Sequence, residues 1–167
     1  DFRSASIELS PSQHCFSNGL FMHSAIDRFN AKLYADGLPA FCNDPRRRLD
    51  PSGFRAESVR VTALDAENVL RAFDAGVVAD SGGGRFRCPA SKAFEQFFWT
   101  GPKRVHPRPL TLWMEPVITV ATVGRLNLEF GWATPQIGMQ SAAFDLMVYG
   151  AQNSDQVVLA GEVKKSI

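Results

Sequence analysis

Cysteine is scarce in this chain: Cys15, Cys42 and Cys88 are the only three, and they are widely spaced. The count is odd and no CxxC pair exists, so neither a disulfide framework nor a four-ligand zinc site is indicated. Buried, reduced thiols in a cytoplasmic protein are the expectation. No apolar run approaches the roughly 20 residues of a membrane helix. No charged segment followed by an apolar one opens the chain, so neither a membrane span nor a signal peptide is expected. An excess of one charge is lacking too: 18 Lys and Arg against 17 Asp and Glu leave a net charge of +1, which names no partner. A GxSxG elbow and an HExxH motif are absent, and Gly82-Gly83-Gly84 lacks the lysine and spacing of a phosphate-binding loop. There is no internal repeat and no low-complexity tract.

What is present is a globular composition. The chain has 167 residues, 45% hydrophobic and 21% charged, which excludes a disordered, collagen-like or coiled-coil chain. One domain of this size buries roughly 70% of its extended surface. The charges are unevenly spread. Arg85, Arg87, Lys92, Lys103, Arg104 and Arg108 face one acid, Glu95, over 85–108. Glu115, Glu129, Asp145 and Asp155 face one base, Arg125, over 109–160.

Ser10-Pro11-Ser12-Gln13 reads as a capping box, and Met22, Ile26, Phe29 and Leu33 then share one helical face. A helix is expected over about 11–35, ending before Gly37, followed by a long loop to Gly53 that carries Arg46-Arg47-Arg48. A weak strand is read at 54–61. A helix follows over 66–75, with Asp65 as cap, a stripe of Val69, Leu70 and Phe73, and Gly76 at its end. Two short strands joined by the three-glycine turn come next, then a short helix from Ser91 carrying Phe94, Phe97, Phe98 and Trp99 as core, then a loop over 100–109. Residues 110–123 suit a buried helix or strand, with Pro116 marking a start or kink. The alternation of Leu126, Leu128 and Phe130 predicts a strand over 125–130, followed by a Gly/Pro/Gln-rich loop to Ser141. The last two strands, about 143–149 and 156–164, suit an antiparallel hairpin.

That hairpin carries the chemistry. Strand side chains alternate, so Glu162 and Lys164 project from one face while Val163 points into a core. With Asn153 near the tip, Asp145 falls about 7–8 Å, one diagonal step, from Glu162. Two carboxylates on adjacent strands suit a hard divalent cation, Mg²⁺ (or Mn²⁺), which takes oxygen ligands. A neighbouring ammonium can orient an attacking water or stabilise added negative charge on a phosphate. The plain alternative is the solvated side of an edge hairpin, with a surface Glu–Lys pair of little worth. His14, His23 and His106 show no ligand spacing.

Asp145 on one strand and Glu162-Val163-Lys164 ending the next resemble the PD-(D/E)XK superfamily, the restriction-endonuclease-like nucleases. Phe144 stands where that motif has proline. The resemblance covers about 109–167 and implies an acid on the preceding helix, for which Glu115 is the candidate. It implies an α/β fold, a mixed central sheet flanked by helices and built here from 125–130, 143–149 and 156–164. Residues 1–108 are then a mainly helical, family-specific region. The superfamily core continues past its ExK element, so the resemblance calls for further elements beyond Ile167, from the same chain or elsewhere, with a homo-oligomer also open. It implies a Mg²⁺-dependent endonuclease acting on DNA, with Asp145, Glu162 and Lys164 catalytic and Asp145, Glu162 and Glu115 on the metal. Lys103, Arg104, Arg108, Arg85 and Arg87, with His106, are then candidate phosphate contacts. Arg46-Arg47-Arg48 is either a solvated loop or a further nucleic-acid contact. The alternatives are a non-enzymatic module that binds nucleic acid or protein, and a hydrolase pairing Glu129 with Glu162 or Asp145.

Overall fold

The computed structural model describes residues 23–141, 143–151 and 155–164. The expected capping box at 10–13, His14, Cys15 and Asn153 lie outside the described residues. The first described helix, α1 (Ala25–Lys32), starts at Ser24, which forms a capping box with Asp27. The helix does not stop before Gly37. It passes through a π turn (Leu33–Gly37) into α2 (Leu38–Cys42), because Leu33, Leu38, Phe41 and Cys42 are all buried and their burial outweighs the poor propensity of Gly37.

The weak strand at 54–61 is not formed. A 3₁₀ turn precedes it (Pro51–Gly53) and a second lies within it (Ala56–Ser58), and its one ladder contact is an isolated parallel bridge from Phe54 to Leu110. Helix α3 (Ala63–Asp74) is capped by Thr62, with Asp65 answering from the first turn, and Gly76 follows at φ 68°. Strands β1 (Ala79–Asp80) and β2 (Arg85–Arg87) pair across the glycine turn as expected. The helix expected from Ser91 is replaced by β3 (Glu95–Gln96) and β4 (Phe98–Thr100). Phe97 and Phe98 are buried, but Phe94 and Trp99 are exposed, so half of the expected aromatic core faces out.

Strand β5 (Leu110–Leu112) pairs with β4 and leads into α4 (Met114–Leu128), with Pro116 in its first turn. This helix absorbs most of the strand expected over 125–130. Leu126 is buried, but Leu128 and Phe130 are 38% and 63% exposed, so the alternation marks no sheet face. The Gly/Pro/Gln-rich loop instead yields β6 (Ile137–Ser141). Strands β7 (Phe144–Tyr149) and β8 (Val157–Gly161) form the expected hairpin, but β8 stops at Gly161, so Glu162, Val163 and Lys164 lie past the strand and Val163 is only half-buried, outside the core.

The fold is therefore mixed α and β, but not around a mixed central sheet. Three small antiparallel sheets form, in the orders β1-β2-β3, β4-β5 and β6-β7-β8. Their strands are short, and local hairpin pairing needs no parallel crossover. One hydrophobic core joins all these parts. At its centre α3 packs on α4, which is buried on nearly every side. Gly124 permits that approach: a Cβ there would lie 2.6 Å from the Asn68 carbonyl oxygen and 3.2 Å from the Ala72 Cβ. Gly124→Val should therefore cost about 1–3 kcal/mol through overpacking. Urea unfolding checks this; an unchanged midpoint contradicts close α3–α4 packing.

Candidate functional site

The chain enters the site through a turn at 88–91. The Ser91 hydroxyl accepts the Cys88 amide at 3.0 Å and the Met139 amide at 2.8 Å. The Ala90 amide donates to the Ile137 carbonyl. Gly138 lets this turn lie against β6, since a Cβ there would sit 2.7 Å from the Ala90 carbonyl oxygen. The turn thus fixes β3 beside the β6-β7-β8 sheet. Cys88 is buried inside it, and burial pushes its thiol up to about 12, which keeps it an unreactive thiol at neutral pH.

Register then sets the acids. β6 pairs with β7 through Met139–Leu146 and Ser141–Phe144, which puts Gln140 across from Asp145. The Gln140 amide nitrogen donates to Asp145 Oδ1 at 3.2 Å and to Glu95 Oε2 at 2.7 Å. One side-chain amide therefore bridges two carboxyl groups. Gln140 does this from φ 48°, a left-handed conformation that side chains rarely adopt. Glu95 Oε1 accepts the Gln96 amide at 3.0 Å. Glu95 is only 5% exposed, and burial pushes its carboxyl above the usual glutamate value; the nearby charges of Asp145 and Glu115 push the same way.

The β7–β8 ladder ends at the pair Leu146–Gly161, so one step further would set Asp145 against Glu162. Asp145 Oδ2 accepts the Val163 amide at 2.8 Å and so pins the segment that follows β8. Lys164 Nζ meets Glu162 Oε2 at 3.2 Å, and both side chains are well exposed. That hydrogen bond holds the Lys164 ammonium above its ordinary pKa. The Glu162 charge adds to it, followed by the charges of Asp145 and Glu115. Glu115, in the first turn of α4, accepts the Trp113 indole N–H at 3.2 Å. Asp145 and the Glu162–Lys164 pair thus meet at the open end of the β7–β8 hairpin, while the contact of Glu115 is with Trp113.

Among the described residues, no three His, Cys, Asp or Glu side chains are grouped as a metal cage. The donor chemistry is nonetheless that of a hard oxygen-ligand site. Asp145 is fixed by its two donors, whereas Glu162 is held by one exposed ion pair. Sequence reading missed Glu95 and Gln140; the available signal was an acid beside the basic stretch, hidden by a false helix.

The basic residues divide. Arg85 and Arg87 lie side by side on β2, each 5.3 Å from the exposed Phe94 ring. Lys103 and Arg108 line a separate cleft with the Arg46–Arg48 turn and His106. Arg104 is exposed beside Lys103 but does not line that cleft. Glu129 pairs with Arg125 and Arg71 at the far end of α4 from Glu115 and does not join the acids. No helix among the described residues is long and apolar enough to cross a membrane. No protein-family model, curated protein or solved structure matches the chain.

Glu95 gives the site a pH signature. The unfolded chain loses this proton first, so stability should fall as pH rises from 4.5 through the raised pKa of Glu95. Glu95→Gln should remove that slope in unfolding curves taken across this range. Parallel curves for the two proteins contradict a buried carboxyl with a raised pKa.

Proposed function

We propose that this chain is a metal-dependent nuclease of the restriction-endonuclease-like class, hydrolysing DNA phosphodiester bonds. The observation that carries the reading is that Asp145 Oδ2 accepts the Val163 amide at 2.8 Å, which ties the Glu162-Val163-Lys164 segment and its 3.2 Å Lys164–Glu162 ion pair to Asp145. Helix, strand, strand with Asp and strand with ExK follow in the order that this superfamily requires: α4 with Glu115, β6, β7 with Asp145, and β8 leading into Glu162-Val163-Lys164.

In this reading Asp145 and Glu162 hold Mg²⁺ (or Mn²⁺), and Glu115 adds a third carboxylate. A cation held there would offset the charge of a phosphate oxygen and lower the pKa of a bound water. Gln140 and the Val163 amide keep the Asp145 carboxylate in one orientation. With Glu162 on the metal, the Lys164 ammonium would be free to hold the attacking water or the negative charge that builds on the phosphate oxygens. Lys103, Arg104, Arg108, Arg85 and Arg87 are the proposed DNA contacts. The non-enzymatic alternative, a nucleic-acid-binding module, draws on the unpaired basic residues alone and needs no metal.

Plasmid cleavage in Mg²⁺ and in Mn²⁺ tests the reading. The chain should cut only with the metal, Asp145→Ala and Glu162→Ala should be inactive, and Lys164→Ala should lose roughly 10²- to 10³-fold in rate. DNA binding without cleavage in either metal favours the binding module. Cleavage that persists in a chelator contradicts the proposal.

A further inference from the structure

We propose that the cleft between the Arg46–Arg48 turn and the 100–108 loop binds the phosphodiester backbone of DNA. Its volume is about 660 Å³. Five lining residues carry a formal positive charge (Arg46, Arg47, Arg48, Lys103 and Arg108), and one lining residue, Asp50, carries a negative one.

These cations do two different things. Arg47 and Arg108 build the walls. Arg47 donates to the Gly83 carbonyl at 2.6 Å and to Gln96 Oε1 at 2.9 Å, and its guanidinium lies 4.0 Å from the centre of the Phe41 ring. Arg108 donates to the Gly101 carbonyl and to the Thr100 hydroxyl, each at 2.7 Å, which closes the 101–109 loop. Among the described residues, the side chains of Arg48, Lys103 and His106 make no hydrogen bond or ion pair, and they line the same cleft. Nearby acids offset only part of this charge. Asp44 pairs with Arg46 and Arg47, and Asp50, whose carboxylate accepts the Ser52 amide, is the one acid in the lining. Fixed walls with three free donors and a net positive charge fit a chain of phosphates.

Backbone strain points the same way. Arg48 sits at φ 48°, where glycine is favoured, and it is held there by hydrogen bonds from the amides of Arg48 to the Asp44 carbonyl and of Leu49 to the Cys42 carbonyl. A residue kept in a costly conformation with its charge unpaired is often kept for binding. The cleft also adjoins the acids: on β3, Gln96 lines it while Glu95 is bonded to Gln140 beside Asp145. The choice of DNA rests on the nuclease reading; the cleft itself does not.

The test is binding of a short labelled DNA duplex in a chelator, over a range of salt. Arg48→Gly removes the charge and relieves the strain, so it should melt at a higher temperature and bind DNA more weakly. Arg48→Gly and Lys103→Ala should each lower the slope of log affinity against log salt by about 1. Arg60→Ala, outside the cleft, should leave that slope unchanged. Equal losses in all three variants overturn the proposal in favour of diffuse attraction. Competition by polyglutamate as strong as by unlabelled DNA, or binding of pyrophosphate with no binding of DNA, also overturns it. A chain that binds no metal yet binds DNA through Arg48 and Lys103 supports this cleft while removing the nuclease.

Discussion

Past Gly161 the β7–β8 ladder ends, and the Asp145 carboxylate holds the residues that follow by accepting the Val163 amide at 2.8 Å. Glu162 and Lys164, on either side of Val163, meet in an exposed ion pair at 3.2 Å. The other Asp145 oxygen is tied to Gln140, and through Gln140 to the buried Glu95. A short exposed strand end would otherwise fray, and its exposed Glu–Lys pair is too weak to hold it. The arrangement of the candidate site therefore depends on a hydrogen-bonded carboxylate, while the ion pair beside it follows.

Charge is separated around β3. Glu95 faces the acids and Gln96 faces the basic cleft, so two adjacent residues with opposite side-chain directions mark the border. Gln140 and Arg48 are the two non-glycine residues with positive φ among the described residues, and each borders one of these two regions. In both, the side chain does work that glycine could not: one bridges two carboxyl groups, and the other leaves a guanidinium free. The cations of the cleft divide between Arg46 and Arg47, paired with Asp44, and Arg48 and Lys103, whose side chains have no ion pair among the described residues.

The final hairpin was legible because a period of two is a strong signal and the two strands are joined by a short turn. Asp145 and Glu162 could be paired from sequence for that reason. Glu115 was reached through a resemblance, and the helix beneath it formed where Pro116 allowed a start. Glu95 and Gln140 were not legible. Phe94, Phe97 and Phe98 mimic a helical stripe, yet Phe98 and Trp99 alternate in and out of the core as a strand. Gln140 lay in a run of Gly, Pro and Gln that reads as loop, because β6 takes its stability from pairing with β7 and from Ser91, both remote in sequence. The false strand over 125–130 has the reverse cause: two of its three apolar residues are exposed at a helix end. Lys103 and Arg108 read from sequence as equivalent phosphate contacts, but only the fold shows that Arg108 is tied to Gly101 and Thr100.

The most direct test of the central claim is a crystal soaked in Mn²⁺ and measured at the manganese absorption edge. The expected result is an anomalous peak in contact with Asp145 and Glu162, with Lys164 released from its ion pair. A clear map with no peak at Asp145, or with manganese bound only elsewhere, contradicts a metal centre on this hairpin.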